Sequence, residues 1–205
     1  MEELSGLEIY NPVKTGTDIY YSKVMSNSKE LTIQVSKNTI KLNKDKMKAI
    51  LTIDADTSEF IKKVSDKVIK NTSKQSSKYF GKQLSEQDCE SIYKEAAKED
   101  KLYCFYDENT QFYTSQHTDL NLDDIENELT GIAMLKCNAI IYTKSSFFIR
   151  WEVSQFKIKR DKIKEAKVKD ECIMEYIIRD LPEHSEILND EIRGIESKLE
   201  NITLF

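Results

Sequence analysis

The chain has 205 residues, 33% of them charged and 39% apolar, which fits one core domain with an appendage and excludes a multidomain machine. Five Gly and two Pro leave no glycine-rich phosphate loop and no proline-rich segment, so nucleotide-fold readings lose ground. The formal net charge is −5, yet residues 170–205 hold ten acids against three bases, a net of −7, and the 169 residues before them carry about +2. An acidic tail on a mildly basic body is the pattern of an interaction tail and of nucleic-acid contact, or else of a solvated surface helix.

Residues 1–17, with Asn11-Pro12 and Gly16, read as an irregular arm. Asp18 to Met25 and Glu30 to Leu42 alternate apolar and polar residues, the second run being long enough for two strands or one bent strand. Met47 to Ile53 gives a third run, and together they predict a meander. From Thr57 the period changes. Phe60, Ile61, Val64 and Val68 predict a helix to about Asn71, capped by Asp56 or Thr57. After a polar stretch, Asn71 to Lys78, Ser85 and Asp88 form a capping box for a second helix. Its apolar face is Cys89, Ile92, Tyr93 and Ala96, and it ends near Lys98, before a strand at Leu102 to Tyr106.

Gly131 to Tyr142 and Ser146 to Lys159 read as long strands of a hairpin turned at Thr143-Lys144-Ser145. Phe156 and Ile158 fall out of phase with Phe147, Ile149, Trp151 and Val153, as a bulge would make them. Pro182 suits the first turn of a tail helix, in which Leu188, Ile192, Ile195, Leu199 and Ile202 recur at heptad intervals and form an association seam ending at Phe205. The predicted class is therefore mainly β with inserted helices: a five-stranded OB-type Greek-key barrel plus a C-terminal helical tail. The helices fall between the third and fourth strands, as in that barrel; a generic α+β sandwich is the other reading. The predicted divisions are an arm at 1–17, a barrel at 18–160 with its helical insertion at about 57–98, and an acidic tail at 161–205.

Cys89, Cys104, Cys137 and Cys172 make no C-x-x-C pair, and His117 and His184 lie near none of them, so no zinc site is expected. With no secretory h-region, the thiols read as small buried hydrophobes of a cytosolic or nuclear protein. The most apolar window, Gly131 to Tyr142, is too short to span a bilayer. No acid–base pair or nucleophile stands out. Asp54 and Asp56 could hold an ion; Asp123, Asp124, Glu126 and Glu128 instead suit the first turn of a short helix capped by Asn121. His117 reads as a surface residue. The expectation is no enzyme, no cofactor and no metal.

Aromatic and basic residues interleave on the predicted strands. The candidate nucleic-acid ligands are Tyr21, Lys23, Tyr103, Lys136, Tyr142, Lys144, Phe147, Arg150, Trp151 and Lys157. Such sets hold single strands because every base offers a π-face at about 1 to 3 kcal/mol, while cations follow the phosphates. The competing reading of strand aromatics is core, and for Trp151 the two stand level.

The segment from Ala139 to Gln155 (AIIYTKSSFFIRWEVSQ) resembles the carboxy-terminal hairpin of the single-stranded-DNA-binding proteins of nucleocytoplasmic large DNA viruses, relatives of the OB-fold replication protein of short-tailed coliphages. Tyr20 to Lys23, Ile33-Gln34 with Ser36-Lys37, and Tyr79 to Ser85 are similar to earlier blocks of that family, so the resemblance spans roughly residues 18–158. It implies an OB fold, sequence-tolerant binding of single-stranded DNA and no catalysis. It also implies work in viral DNA replication, recombination or repair, in the cytoplasm of the infected cell or its nucleus. Ile141 and Phe148 depart from the family pattern and shift one stacking contact to Tyr142 or Phe148. Phe205 is similar to the terminal phenylalanine with which the phage relatives dock replisome proteins. The expected partners are single-stranded DNA, replisome proteins and a second copy through the tail, with no membrane. The rival function is a structural virion or assembly protein that uses the barrel as a module and the tail to oligomerise.

Overall fold

A computed structural model of the chain describes residues 6–16, 18–114 and 118–159, and of Lys37 the backbone alone. The tail seam at Leu188, Ile192, Ile195, Leu199, Ile202 and Phe205, and also His117, His184 and Cys172, lie outside the described residues.

The protein is mainly β, built on a closed five-stranded barrel, with two α-helices among the described residues. The ring strands, in chain order, are β5 (Thr32–Asn43), β6 (Lys48–Thr52), β9 (Lys101–Phe105), β12 (Glu128–Tyr142) and β13 (Phe147–Ile158). β5 pairs with β6, β6 with β9, β9 with β13, and β12 closes the ring by pairing with both β13 and β5. The β9–β13 pair is parallel and the others antiparallel, so the barrel is mixed. This arrangement is compatible with an OB-type barrel. Alternate residues fill the interior: Leu42, Ala49, Leu51, Leu102, Cys104, Leu135 and Cys137 are all buried.

Around the ring lie β1 (Leu7–Ile9), β2 (Val13–Gly16), β3 (Ile19–Ser26) and β4 (Lys29–Glu30), then β7 (Tyr93–Lys94) and β8 (Ala97–Lys98), and finally β10 (Gln111–Thr114) and β11 (Asp119–Leu120). The expected irregular arm thus contains two short strands, both paired with β3. The expected meander is also corrected. β3 does not run beside β5, because β12 lies between them and pairs with each. Asn27 and Ser28, both at positive φ, turn β3 back onto β4 for only two residue pairs, after which the chain diverges into β5. Since β3 stands outside the ring, the helices fall between the second and third ring strands rather than the third and fourth.

α1 (Ala55–Phe80) is longer than its apolar period predicted, and Asp54, not Asp56 or Thr57, caps it by accepting from the Thr57 N–H at 2.7 Å. The polar stretch Asn71 to Lys78 is helical because its small polar residues face the core. Thr72 and Ser76 are buried; Thr72 shares a 3.2 Å hydrogen bond with Tyr142, and Ser76 Oγ accepts from Leu84 N at 2.8 Å. Gly81, at φ 68°, stops the helix in the left-handed region. α2 (Glu86–Ile92) has the expected Ser85/Asp88 capping box but ends before Tyr93, which pairs with Phe147 as β7.

The β12–β13 hairpin and its turn agree with the sequence reading, and Ser154 is the extra residue of the bulge, between the Gln155–Met134 and Val153–Leu135 pairs.

Candidate functional site

The outward phase of β6 and β9 builds the site. With Ala49, Leu51, Leu102 and Cys104 turned into the barrel, Lys48, Ile50, Tyr103 and Phe105 face out, half-exposed. Cross-strand pairing sets them in two rows. Lys41, Ile50 and Tyr103 make one; Asn43, Lys48, Phe105, Glu152 and Lys136 make the other. Both rows, short of Glu152 and Lys136, floor an open groove of about 660 Å³. Its walls are the hairpin turn Thr143 to Ser146 with Phe148, the segment Lys94 to Ala96, and Asp18-Ile19.

Four lysines line the groove, Lys41, Lys48, Lys94 and Lys144, against two acids, Asp18 and Glu95. Lys41 is ion-paired to Glu128 at 3.3 Å with both side chains exposed, a contact that a phosphate can replace at little cost. Partial burial, with Lys46 nearby, holds the Lys48 ammonium below its ordinary pKa. Its Nζ sits 6.0 Å from the Phe105 ring centre, and the Arg150 guanidinium lies over the same ring at 4.8 Å.

Beside the groove, Glu152 is a buried carboxylate on the outer wall. Arg150 Nε donates to it at 2.6 Å and Asn138 Nδ2 at 2.7 Å, and Lys136 Nζ is 3.3 Å away. Tyr21 OH bonds Asn138, reaching its Oδ1 at 3.1 Å. One carboxylate therefore holds two cations, fixes the Arg150 plane against Phe105, and leaves the cluster with one positive charge in excess.

Of the residues named from sequence, Tyr103 and Lys144 line the groove, and Tyr21, Lys136 and Arg150 meet in the Glu152 cluster. Lys23 on β3 and Lys157 near the end of β13 lie outside the groove lining. Tyr142, Phe147 and Trp151 are corrected from stacking candidates to core, each with no exposed surface. Tyr142 stacks on Tyr79 at 4.2 Å and on Phe147 at 5.6 Å, and Phe80, Tyr93 and Tyr20 complete the cluster that fastens α1 to the hairpin. Burial pushes the Tyr142 and Tyr93 phenols above their ordinary pKa. Phe148, the alternative stacking residue, points into the groove.

Lys41, Lys48 and Lys94 escaped the candidate set. Phe105 stands with Tyr103 among the interleaved strand aromatics: in Lys101-Leu102-Tyr103-Cys104-Phe105 it shares the phase of Tyr103, opposite the buried Leu102 and Cys104.

Among the described residues no three or more His, Cys, Asp or Glu side chains gather to hold a metal ion. Asp123 and Asp124 lie in a short 3-10 helix, Leu122–Asp124, but Asn121 makes no side-chain capping hydrogen bond there, and Glu126 and Glu128 fall beyond the helix, Glu128 in β12. Also among the described residues, no helix is long and apolar enough to cross a membrane.

A family model described as a family of unknown function, DUF5871, matches residues 26–176. The chain belongs to this family. No curated protein and no solved structure matches the chain. The DUF5871 span takes in all five ring strands, both helices and every groove residue except Asp18 and Ile19, and leaves β1, β2 and nearly all of β3 outside.

Proposed function

We propose that this DUF5871 chain is a single-stranded-DNA-binding protein that coats exposed strands during viral DNA replication, recombination or repair. The observation that carries the reading is the groove: half-exposed Tyr103, Phe105 and Phe148 beside Lys41, Lys48, Lys94 and Lys144. Its position supports the same reading. In OB-type barrels the face of the second and third strands, flanked by the loops joining strands one to two and four to five, holds oligonucleotides. Here those strands are β6 and β9, and the flanks are the segment after Asn43 and the hairpin turn at Thr143 to Ser146.

Bases stack on the rings and lysines neutralise the backbone, contacts that tolerate sequence. The resemblance to large-virus single-strand binders adds to this, since three of its blocks, Tyr20 to Lys23, Tyr79 to Ser85 and the hairpin, meet in one aromatic cluster.

The test is titration of labelled oligo-dT at two salt concentrations. Tyr103→Ala and Phe148→Ala should each cost about 1 to 3 kcal/mol of binding, and Lys144→Gln should flatten the salt slope by about 0.7. No binding at micromolar protein, or full affinity in the double aromatic variant, would overturn the reading.

A further inference from the structure

Charge is divided unevenly along α1. Toward its N-terminus Lys63 pairs with Glu59 at 2.6 Å and Lys62 with Asp66 at 3.5 Å. From Lys67 to Gln83 there are five lysines and no acid. Lys67, Lys70, Lys74 and Lys78 recur at intervals of three, four and four, which places them on one helix face. The opposite face, Val68, Thr72, Ser76 and Tyr79, is buried, and Lys70, Lys74 and Lys78 are exposed. The stripe runs about 16 Å along the helix.

Folding does not ask for this stripe. Like charges four residues apart destabilise a helix, and the macrodipole favours cations only in the last turn, which accounts for Lys78 alone. The face of α1 behind the stripe packs on the hairpin whose tip walls the groove. Tyr79 and Phe80 pack on Tyr142 and Phe147, the residues that flank the turn Thr143 to Ser146, and Lys144 of that turn lines the groove. The hairpin thus joins the C-terminal half of α1 to the wall of the groove.

We infer that the C-terminal half of α1 is a second nucleic-acid surface, on which a strand leaving the groove over the hairpin tip lays its phosphate backbone along Lys67, Lys70, Lys74 and Lys78. The inference rests on the groove reading for the direction of the strand. The lysine face between them carries Asn71, Ser77 and no aromatic ring, so its contacts are with phosphate and independent of base. The apolar face of α1 is spent on the barrel, which leaves the helix nothing to insert into a bilayer and favours a nucleic-acid polyanion over a lipid surface.

The experiment compares wild type with the triple variant Lys70→Gln, Lys74→Gln, Lys78→Gln, all exposed positions, after an unfolding curve shows both folded. Oligo-dT of about 6 nucleotides, which the groove alone can hold, and of about 30 nucleotides are titrated across salt. The short oligomer should bind both proteins alike. The long one should lose about tenfold at low salt in the variant, with a slope flatter by about two units. Equal affinity and slope for the long oligomer overturn the inference, and so does an equal loss on both oligomers. A wild type that binds neither overturns it together with the groove reading. A wild type that binds only the long oligomer, through these lysines, keeps the stripe and removes the groove. Binding to anionic vesicles that the variant loses, with oligo-dT binding intact, would make the surface a lipid contact and overturn the inference.

Discussion

Trp151 carries the residue-scale lesson. Its alternation with Phe147, Ile149 and Val153 fitted a base-stacking face and a core face equally, because period two tells which residues share a side and not which side is wet. Closure of the ring settles it, and Trp151 lies inside. Trp151→Ala should therefore cost about 3 to 5 kcal/mol of stability in urea unfolding, and oligo-dT should leave its fluorescence almost unquenched; strong quenching with stability intact would contradict its placement. Two thiols share that interior. Burial, and then the Glu152 charge, pushes the Cys104 thiol up to about 12 and raises Cys137 likewise. Both should resist thiol reagents at neutral pH until the protein unfolds. The unfolded chain releases these protons above about pH 8.5 while the folded chain keeps them, so stability should fall as pH rises beyond that value, read as a lower urea midpoint.

At the scale of elements, the hairpin and the capping box were legible because each is local: a polar turn between two alternating runs, and Ser85 three residues before Asp88. The second half of α1 was not, since its buried positions are Thr72 and Ser76, polar residues that pattern reading takes for a surface or an end. The role of β3 was also hidden, because its place beside β12 depends on partners more than 100 residues away, Tyr20 pairing with Tyr142. The cap of α1 supplies a prediction. Asp54→Ala should cost about 1 kcal/mol, and because the Thr57 hydrogen bonds hold this carboxyl below its ordinary pKa, its contribution is present above about pH 4 and lost as pH falls through the lowered value. Gly131 supplies another. A Cβ there would overlap the Lys157 carbonyl oxygen where β12 meets β13, so Gly131→Ala should destabilise the barrel by about 1 to 3 kcal/mol, checked by thermal unfolding.

For the whole molecule, the mainly β class and its inserted helices followed from the sequence, whereas the groove did not, since it is assembled from β5, β6, β7, β9 and the hairpin turn, none of which shows a binding motif alone. Lys41 and Lys48 come from the paired strands β5 and β6, and Lys94 joins them only because β7 pairs with β13. The acidic segment beyond residue 169 enters this account as a proposed association element. A chain ending at Lys169 should stay folded and show fewer subunits per particle by light scattering; an unchanged subunit number would remove the tail from assembly. The most direct test of the central claim is ultraviolet crosslinking of oligo-dT to the full-length protein, followed by mapping of the attached peptides. Crosslinks are expected at Tyr103, Phe105 and Phe148; crosslinks confined to the β1–β3 or β10–β11 strands, with the groove rings untouched, would contradict binding in the groove.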